Sequence, residues 1–441
     1  MVGRDKSLDT KLRHKARVGN YNGSDNNKFV RLVIYNDDMK RGGYMRRAAK
    51  MCGKVLATII LVVAMVIVAT GISPIYNFTE PKPFSGNDIF NPYRNVDSAQ
   101  SWKRANFHTH TRVEGILNEC ELYPDGVLEA YDRFGYDIVT FSNHNELTRH
   151  PHDERLQVNL YEHGYNLLKF HKLVFGAESV NRFDHLLPIL PSQRQFQLDL
   201  LGEESDIVQI NHPLRTFLST KRMMTHLEGY DLMELDSGRS TENEYWDWAL
   251  SAGHYSFGVA NDDLHYPDRA ACIAVRCNFL ATPSATYDDL RHTLREGGFY
   301  AMRIPNYGSG DWDIKYAKNR ELPYIVDIGV EGDEIFIELS ESADSITFTG
   351  QGHCRQLTVE DSTSARYALR LDEPYTRITA YFAEGEVIYS NPFARYDAST
   401  SDSPRREASH TINITLTALY NLLLAAICCM LAWLTLRLYK R

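Results

Sequence analysis

Two uncharged apolar runs bracket an otherwise polar chain of 441 residues, and no single soluble core accommodates both. Residues 55–72, VLATIILVVAMVIVATGI, and residues 416–436, LTALYNLLLAAICCMLAWLTL, contain no Asp, Glu, Lys or Arg. A bilayer core takes roughly 18–20 such residues as a helix. A cleaved signal sequence does not fit the first run, because a long polar leader precedes it. Both read as retained spans. Basic flanks set their direction: MKRGGYMRRAAKMCGK precedes the first and RLYKR follows the second. Excess Lys and Arg stay on the cytoplasmic side. Both termini are therefore expected in the cytoplasm, with the region between the spans on the periplasmic or other extracytoplasmic side of an inner membrane.

Between the spans the texture changes twice. Residues 1–52 are polar and basic without apolar periodicity, which predicts a disordered cytoplasmic tail. The first membrane helix is expected over 53–73, and Pro, Asn and Gly mark a linker over 74–101. Over 102–305 short apolar runs alternate with helical patterns. YDIVTFSNH, KLVFGAE, SDIVQINHP, YDLMELDSG and YSFGVANDD read as strands, while PDGVLEAYDRFG, ENEYWDWALSAG and ATYDDLRHTLREGG read as helices that end in Gly. Strand-then-helix repetition predicts an α/β fold with a parallel sheet, and the number of units suits a barrel. Residues 320–397 switch to short alternating strands, a pattern that predicts a β-sandwich. A polar tether, 398–414, leads to the second membrane helix, 415–437. The seven cysteines define no framework; Cys272 and Cys277 in CIAVRC would point to opposite faces of a strand. The net charge of −9 argues against nucleic acid as a partner.

The chemistry sits at the strand ends. NFHTHTRVEG places His108 and His110 on one side of a strand, since alternate residues share a face. His144 ends the next strand, Glu178 ends KLVFGAE with His185 soon after, His212 ends SDIVQINHP, and Asp263 and His265 share a face in VANDDLH. In a parallel barrel the strand C-termini lie together. Six imidazoles and two carboxylates would then converge, which only cations make favourable. That ligand set suits zinc, manganese or iron, and it exceeds what one tetrahedral ion needs.

H-x-H, a His after the SNHN strand end, G-x-E followed by a His, NHP and D-x-H, in this order, resemble the polymerase and histidinol phosphatase (PHP) superfamily. LREGGFYA, residues 294–301, resembles that family's closing helix and strand. The resemblance covers roughly residues 104–304. It implies a distorted seven-stranded β/α barrel, two or three metal ions, and hydrolysis of a phosphoester by a metal-bridged hydroxide. By matching position, His108, His110, His144, Glu178, His185, His212, Asp263 and His265 take ligand roles. Relatives often supply a further ligand after H-x-H, where Glu114 is nearest and Glu119 lies behind it. Asp262 competes with Asp263, and the D-x-H spacing favours Asp263. Relatives carry Asp where this chain has Asn143, an expected orienting residue.

Arg215 and Arg269, and Arg112 beside them, follow ligand motifs and could reach a phosphate. His163, His171 and His254 have no motif partner and read as structural. Glu234, in ELDSG, shapes the pocket without a ligand role. The expected substrate is a phosphorylated small molecule or envelope component. A barrel without turnover, serving as a scaffold, and a metal-dependent amide hydrolase are the alternatives. The sequence does not fix the oligomeric state.

Overall fold

A computed structural model describes residues 26–97, 102–114, 118–152, 154–236 and 244–440. Helix α1 spans Asn26–Ala69 and helix α3 spans Ile414–Tyr439; α2, Pro191–Glu203, lies between them in the chain. The 44–69 part of α1 and the whole of α3 are long and apolar enough to cross a membrane. The helix begins well inside the basic stretch expected to be disordered. A long apolar helix has already met the cost of nucleation, so extending it is cheap. Residues 1–25 of the expected tail lie outside the described residues.

The chain divides into two units, residues 1–65 with 429–441 and residues 66–428. Within the first, Thr58 Oγ1 lies 2.8 Å from Tyr439 Oη. The second holds an eleven-stranded sheet, a five-stranded sheet and a short two-stranded pairing. Its strands are β1 (Lys103–Asn106), β2 (Ile138–Val139), β3 (Leu160–His163), β4 (Lys172–Phe175), β5 (Ile207–Ile210), β6 (Leu232–Asp236) and β7 (Phe257–Ala260). There follow β8 (Arg276–Leu280), β9 (Phe299–Arg303), β10 (Ile325–Glu331), β11 (Glu334–Gly350), β12 (Cys354–Ala368), β13 (Tyr375–Tyr381), β14 (Val387–Tyr389) and β15 (Phe393–Tyr396).

Strands β3 to β7 form a five-stranded sheet in chain order. Here β4 runs antiparallel to both β3 and β5, whereas β5, β6 and β7 run parallel. Strands β3, β4, β5 and β7 are buried along their whole length, as strands covered on both faces must be. β1 and β2 pair in parallel, but they belong to an eleven-stranded sheet that continues through β8, β9 and β14.

Two expectations change here. The closed seven-stranded barrel is not seen. The sheets meet through single parallel bridges, Thr109 to Leu264 and His144 to Glu162. The ladders stop there because the chain leaves extended geometry: Asn145, His212 and Asp263 have φ of 50°, 28° and 52°. Nor do the C-terminal strands form a sheet of their own. β14 is buried between β13 and β9, so the antiparallel strands from β10 to β15 extend the sheet that carries β1. Among the described residues, the linker pairs with the tether and with the fold. Tyr76 and Asn77 pair with Ile412 and Thr411, and Asp88–Phe90 pairs with β15.

Candidate metal centre

Glu162, on β3, occupies the middle of the histidine cluster and is 1% exposed. Its two oxygens divide the surrounding imidazoles. Oε2 lies 3.2 Å from His108 Nε2, 3.3 Å from His110 Nε2 and 3.1 Å from His144 Nε2. Oε1 lies 3.1 Å from His171 Nδ1 and 3.4 Å from His212 Nε2, and accepts from Asn211 Nδ2 at 2.9 Å. Asp263 closes the first half: its Oδ1 is 3.1 Å from His108 Nε2 and 3.3 Å from both His110 Nε2 and His265 Nε2. Glu119 Oε2 lies 3.3 Å from His144 Nε2 and 3.4 Å from His110 Nδ1. Among the described residues, three overlapping groups have metal-ligand spacing: His108, His110, Glu162 and Asp263; His110, Glu119 and His144; and His144, Glu162 and His171.

The structure thus brings together His108, His110, His144, His212, Asp263 and His265 of the residues singled out by sequence. It does not bring Glu178 or His185. Glu178 is exposed and outside every group. The reason is the reversed direction of β4. Its first end, with His171 just before it, meets the end of β5, where Asn211 N donates to His171 O at 3.1 Å. Its far end, toward Glu178, lies beside the start of β5, where Asp206 N donates to Phe175 O. His185 Nδ1 instead contacts Thr70 O at the end of α1. Glu119, not Glu114, reaches the imidazoles; Glu114 is exposed and in no group. Sequence reasoning missed Glu162 and His171. The available signal was the alternation in NLYEHG, which puts Glu162 and Leu160 on one face of a short strand.

Burial and charge explain the protonation pattern. Burial alone would lower His108, but Asp263, Glu162 and Glu234 outweigh it and hold His108 well above its ordinary value. His110 is pushed up to about 9 against the same burial, through Asp263 and Glu162. His144 and His171 are lowered, because burial exceeds the pull of Glu162. Burial would raise Glu162 and Asp263, but the imidazoles around them hold both well below the carboxylate range. Protons and cations compete for such a field, and metal binding displaces the protons.

The donors fit a metal. His108 Nε2 and both ring nitrogens of His110 are buried and face only carboxylate oxygens, at 3.1–3.4 Å and without a directed hydrogen bond, and His212 Nδ1 is buried with no hydrogen-bond partner. A buried nitrogen without a partner is costly unless a ligand takes its lone pair. Glu234 supports the arrangement from behind, with Oε1 3.2 Å from His108 Nδ1 while Oε2 accepts from His212 N at 2.7 Å. A carboxylate on one ring nitrogen fixes the tautomer that leaves the other free for a cation. Asp262 serves the backbone instead: it accepts from Ala274 N, Val275 N and Arg276 N and from Tyr131 Oη. Asn143 accepts from Thr111 N and donates to the Thr111 and Thr148 hydroxyls, so it braces the loop after H-x-H.

A cavity of about 590 Å³ opens beside the cluster, lined in part by Arg112, Glu119, His265 and Tyr266. Arg269 stacks over Tyr266 at 3.9 Å, and Arg215 pairs with Asp263 through Nη1.

No family model and no curated protein matches the chain. Two solved structures are similar to it. One is a two-domain protein containing a predicted PHP-like metal-dependent phosphoesterase from Bacteroides vulgatus, at 12% identity and a TM-score of 0.36, over 72% of this chain and 100% of that one. The other is a lesion-specific endonuclease from Pyrococcus furiosus, at 14% identity and a TM-score of 0.31, over 45% of this chain and 57% of that one. Likenesses this distant bear on neither the mechanism nor the substrate.

Proposed function

We propose that this chain is a membrane-anchored, metal-dependent phosphoesterase of PHP type, with both termini cytoplasmic and its metal centre outside. The observation that supports this most is the division of imidazoles around Glu162, with buried ring nitrogens that face carboxylates without a directed hydrogen bond. His108, His110, Glu162 and Asp263 would hold one ion, and His171 and His212 with the other oxygen of Glu162 a second. Glu119 and His144 offer a third position. One nitrogen lone pair serves one ion, and because His110 and His144 are each shared between groups, two or three ions is the number this reading takes. Zinc, manganese and iron all accept this donor set.

When bound, such ions supply Lewis acidity toward a phosphoryl oxygen and make water acidic enough to react near neutral pH. The chain's own residues do the rest. Glu162 and Asp263, held ionised, keep the centre's negative charge fixed. Glu234 sets the His108 tautomer. Arg112 lines the opening, Arg269 stacks on Tyr266 there and Arg215 pairs with Asp263, and guanidinium groups so placed can take phosphate oxygens. The acidic net charge favours a small or envelope-borne phosphoester over nucleic acid.

The test is metal analysis of the full-length protein, followed by a panel of phosphomonoesters, phosphodiesters and amides. Turnover of a phosphoester should vanish with chelation and return with a divalent transition metal. A metal-free protein, or one that cleaves only amides, overturns the assignment. Reporter fusions after residue 310 and at the C-terminus test the topology, and an internal cytoplasmic signal defeats it.

A further inference from the structure

Five large apolar side chains, Leu167, Phe183, Ile189, Phe217 and Leu218, are 40–60% exposed. They sit on three loops that are bonded to one another. Leu167 N donates to Leu186 O at 2.9 Å and Phe217 N to Leu168 O at 2.8 Å. Arg194 ties the other pair, donating to Pro188 O at 3.1 Å and to Phe217 O at 2.7 Å. Single exposed apolar residues need no explanation, but a group on joined loops marks a surface that something covers.

The ends of the apolar helices say what covers it. Thr70 O contacts His185 Nδ1, and Leu186 N donates to Thr70 Oγ1. Gln193 Nε2 donates to Gly71 O and to Tyr420 Oη, both at 3.2 Å. Gly71 lies where the first apolar run gives way to Ser73 and Pro74. It is level with Asn421, the polar residue of the second run, whose amide bonds Ser73 N and Ser73 O at 3.3 and 3.2 Å. The outer edge of the hydrocarbon therefore falls at Gly71 and Asn421. The three loops meet the helices at that edge.

Helix α2 gives the tilt. It ends at Glu203, and β5 starts at Ile207 and climbs to His212, so the first turn of α2 lies at the metal-bearing end. That turn, through Gln193, touches Gly71 and Tyr420. Asp199, further along α2, instead faces His410, four residues before α3 begins. The metal-bearing end is thus the end nearer the bilayer. Its wall continues into the loops: Tyr165 Oη donates to His144 O at 3.2 Å, while Asp184, next to His185, accepts from Tyr165 N at 2.8 Å. Charge agrees. Residues 165–169, 182–190 and 214–222 carry Lys169, Arg182, Arg215, Lys221 and Arg222 against Asp184 alone, in a chain of net charge −9. Basic and apolar side chains together suit an anionic lipid surface.

We propose that these loops rest in the outer surface of the bilayer that holds the chain's own helices, and that the centre beside them acts on a phosphoester carried by a lipid. The second half rests on the phosphoesterase reading; the first does not. Two arms separate them, both on full-length protein in nanodiscs of phosphatidylglycerol and phosphatidylcholine. In the first, Phe217→Trp should add emission that brominated acyl chains quench, while Leu371→Trp, 73% exposed on the C-terminal strands, should add emission they do not quench. Equal quenching, or none at Phe217→Trp, overturns the docking. In the second, the double variant Leu167→Asp/Phe217→Asp should keep its metal and its turnover of a soluble aryl phosphate, yet lose more than tenfold of its turnover of phosphatidic acid. An equal loss on both substrates, or aryl phosphate turnover with no lipid turnover at all, overturns the lipid substrate. Quenching without turnover of any phosphoester would leave the docking standing and remove the phosphoesterase reading.

Discussion

Glu162 carries more of the centre than any other side chain, because both of its oxygens face imidazoles and it cannot leave without exposing both sets. Glu162→Gln keeps the volume but removes the charge that balances His108, His144 and His171. The expected outcome is loss of at least one equivalent of bound metal and of activity, read by elemental analysis and phosphoester turnover. Glu178→Gln should change neither. Glu234→Gln is a subtler case, since it removes the carboxylate behind His108 while keeping every ligand. Metal affinity should fall about 10- to 100-fold, measured by competition with a chelator. His108, His110, His212 and His265 were legible in sequence because H-x-H, NHP and D-x-H each place an imidazole at a strand end, whereas His171, outside every motif, was not. Glu162 was not, because the pattern that points to Glu178 assumes that every strand of the unit runs the same way.

That assumption fails at one element, β4. A strand reversed within a mostly parallel sheet offers its leading end to the site, so His171, just before β4, arrives where Glu178 was expected. The apolar run KLVFGAE reveals a buried strand but carries no information on its direction, which the connections on either side decide. The C-terminal strands show the same limit. Their alternation marks antiparallel strands correctly, but whether they close on themselves or extend a neighbouring sheet depends on β14 finding β9. A buried ion pair reinforces that fusion. Asp247, on the Glu244–Ala252 helix, accepts from Arg377 Nε at 2.9 Å and from Nη2 at 2.6 Å, with both side chains buried. Tyr375 Oη adds a third bond to the same carboxylate at 3.0 Å. Asp247→Ala leaves a guanidinium buried without its counter-charge, a loss of about 3–5 kcal/mol. Denaturant unfolding of the solubilised protein should show the midpoint falling for the region of the candidate metal centre and the C-terminal strands together. Separate transitions would mean that the two parts fold independently.

At the scale of the whole molecule, the segments read from sequence as linker and tether are fastened to the region that carries the candidate metal centre. The key fastening is His410, whose Nδ1 lies 2.7 Å from Glu228 Oε1 and whose Nε2 lies 3.0 Å from Asp199 Oδ2. Glu228 also accepts from the amides of Ser409 and His410, and the Tyr76 ring packs edge-on against the imidazole at 4.6 Å. Burial would lower His410, but its bonds to Asp199 and Glu228 prevail and push it up to about 9 from an ordinary 6.5. A folded value above the unfolded one stabilises the junction fully below pH 6.5, and the gain is lost as pH rises through about 9. Glu228 is shifted the other way, held below the ordinary carboxylate range chiefly by His410 against its own burial. It therefore stays ionised throughout this window and adds no transition of its own. Hydrogen exchange at the amides of Ser409 and His410, both of which donate to Glu228, should quicken between pH 6.5 and 9.5 beyond the intrinsic base-catalysed rate. His410→Gln keeps a hydrogen-bonding group but no titrating charge, so its protection should be weaker at pH 6 and flat across the same range. If the wild-type protein and His410→Gln show the same pH profile, the imidazolium is not what fastens the tether to Asp199 and Glu228.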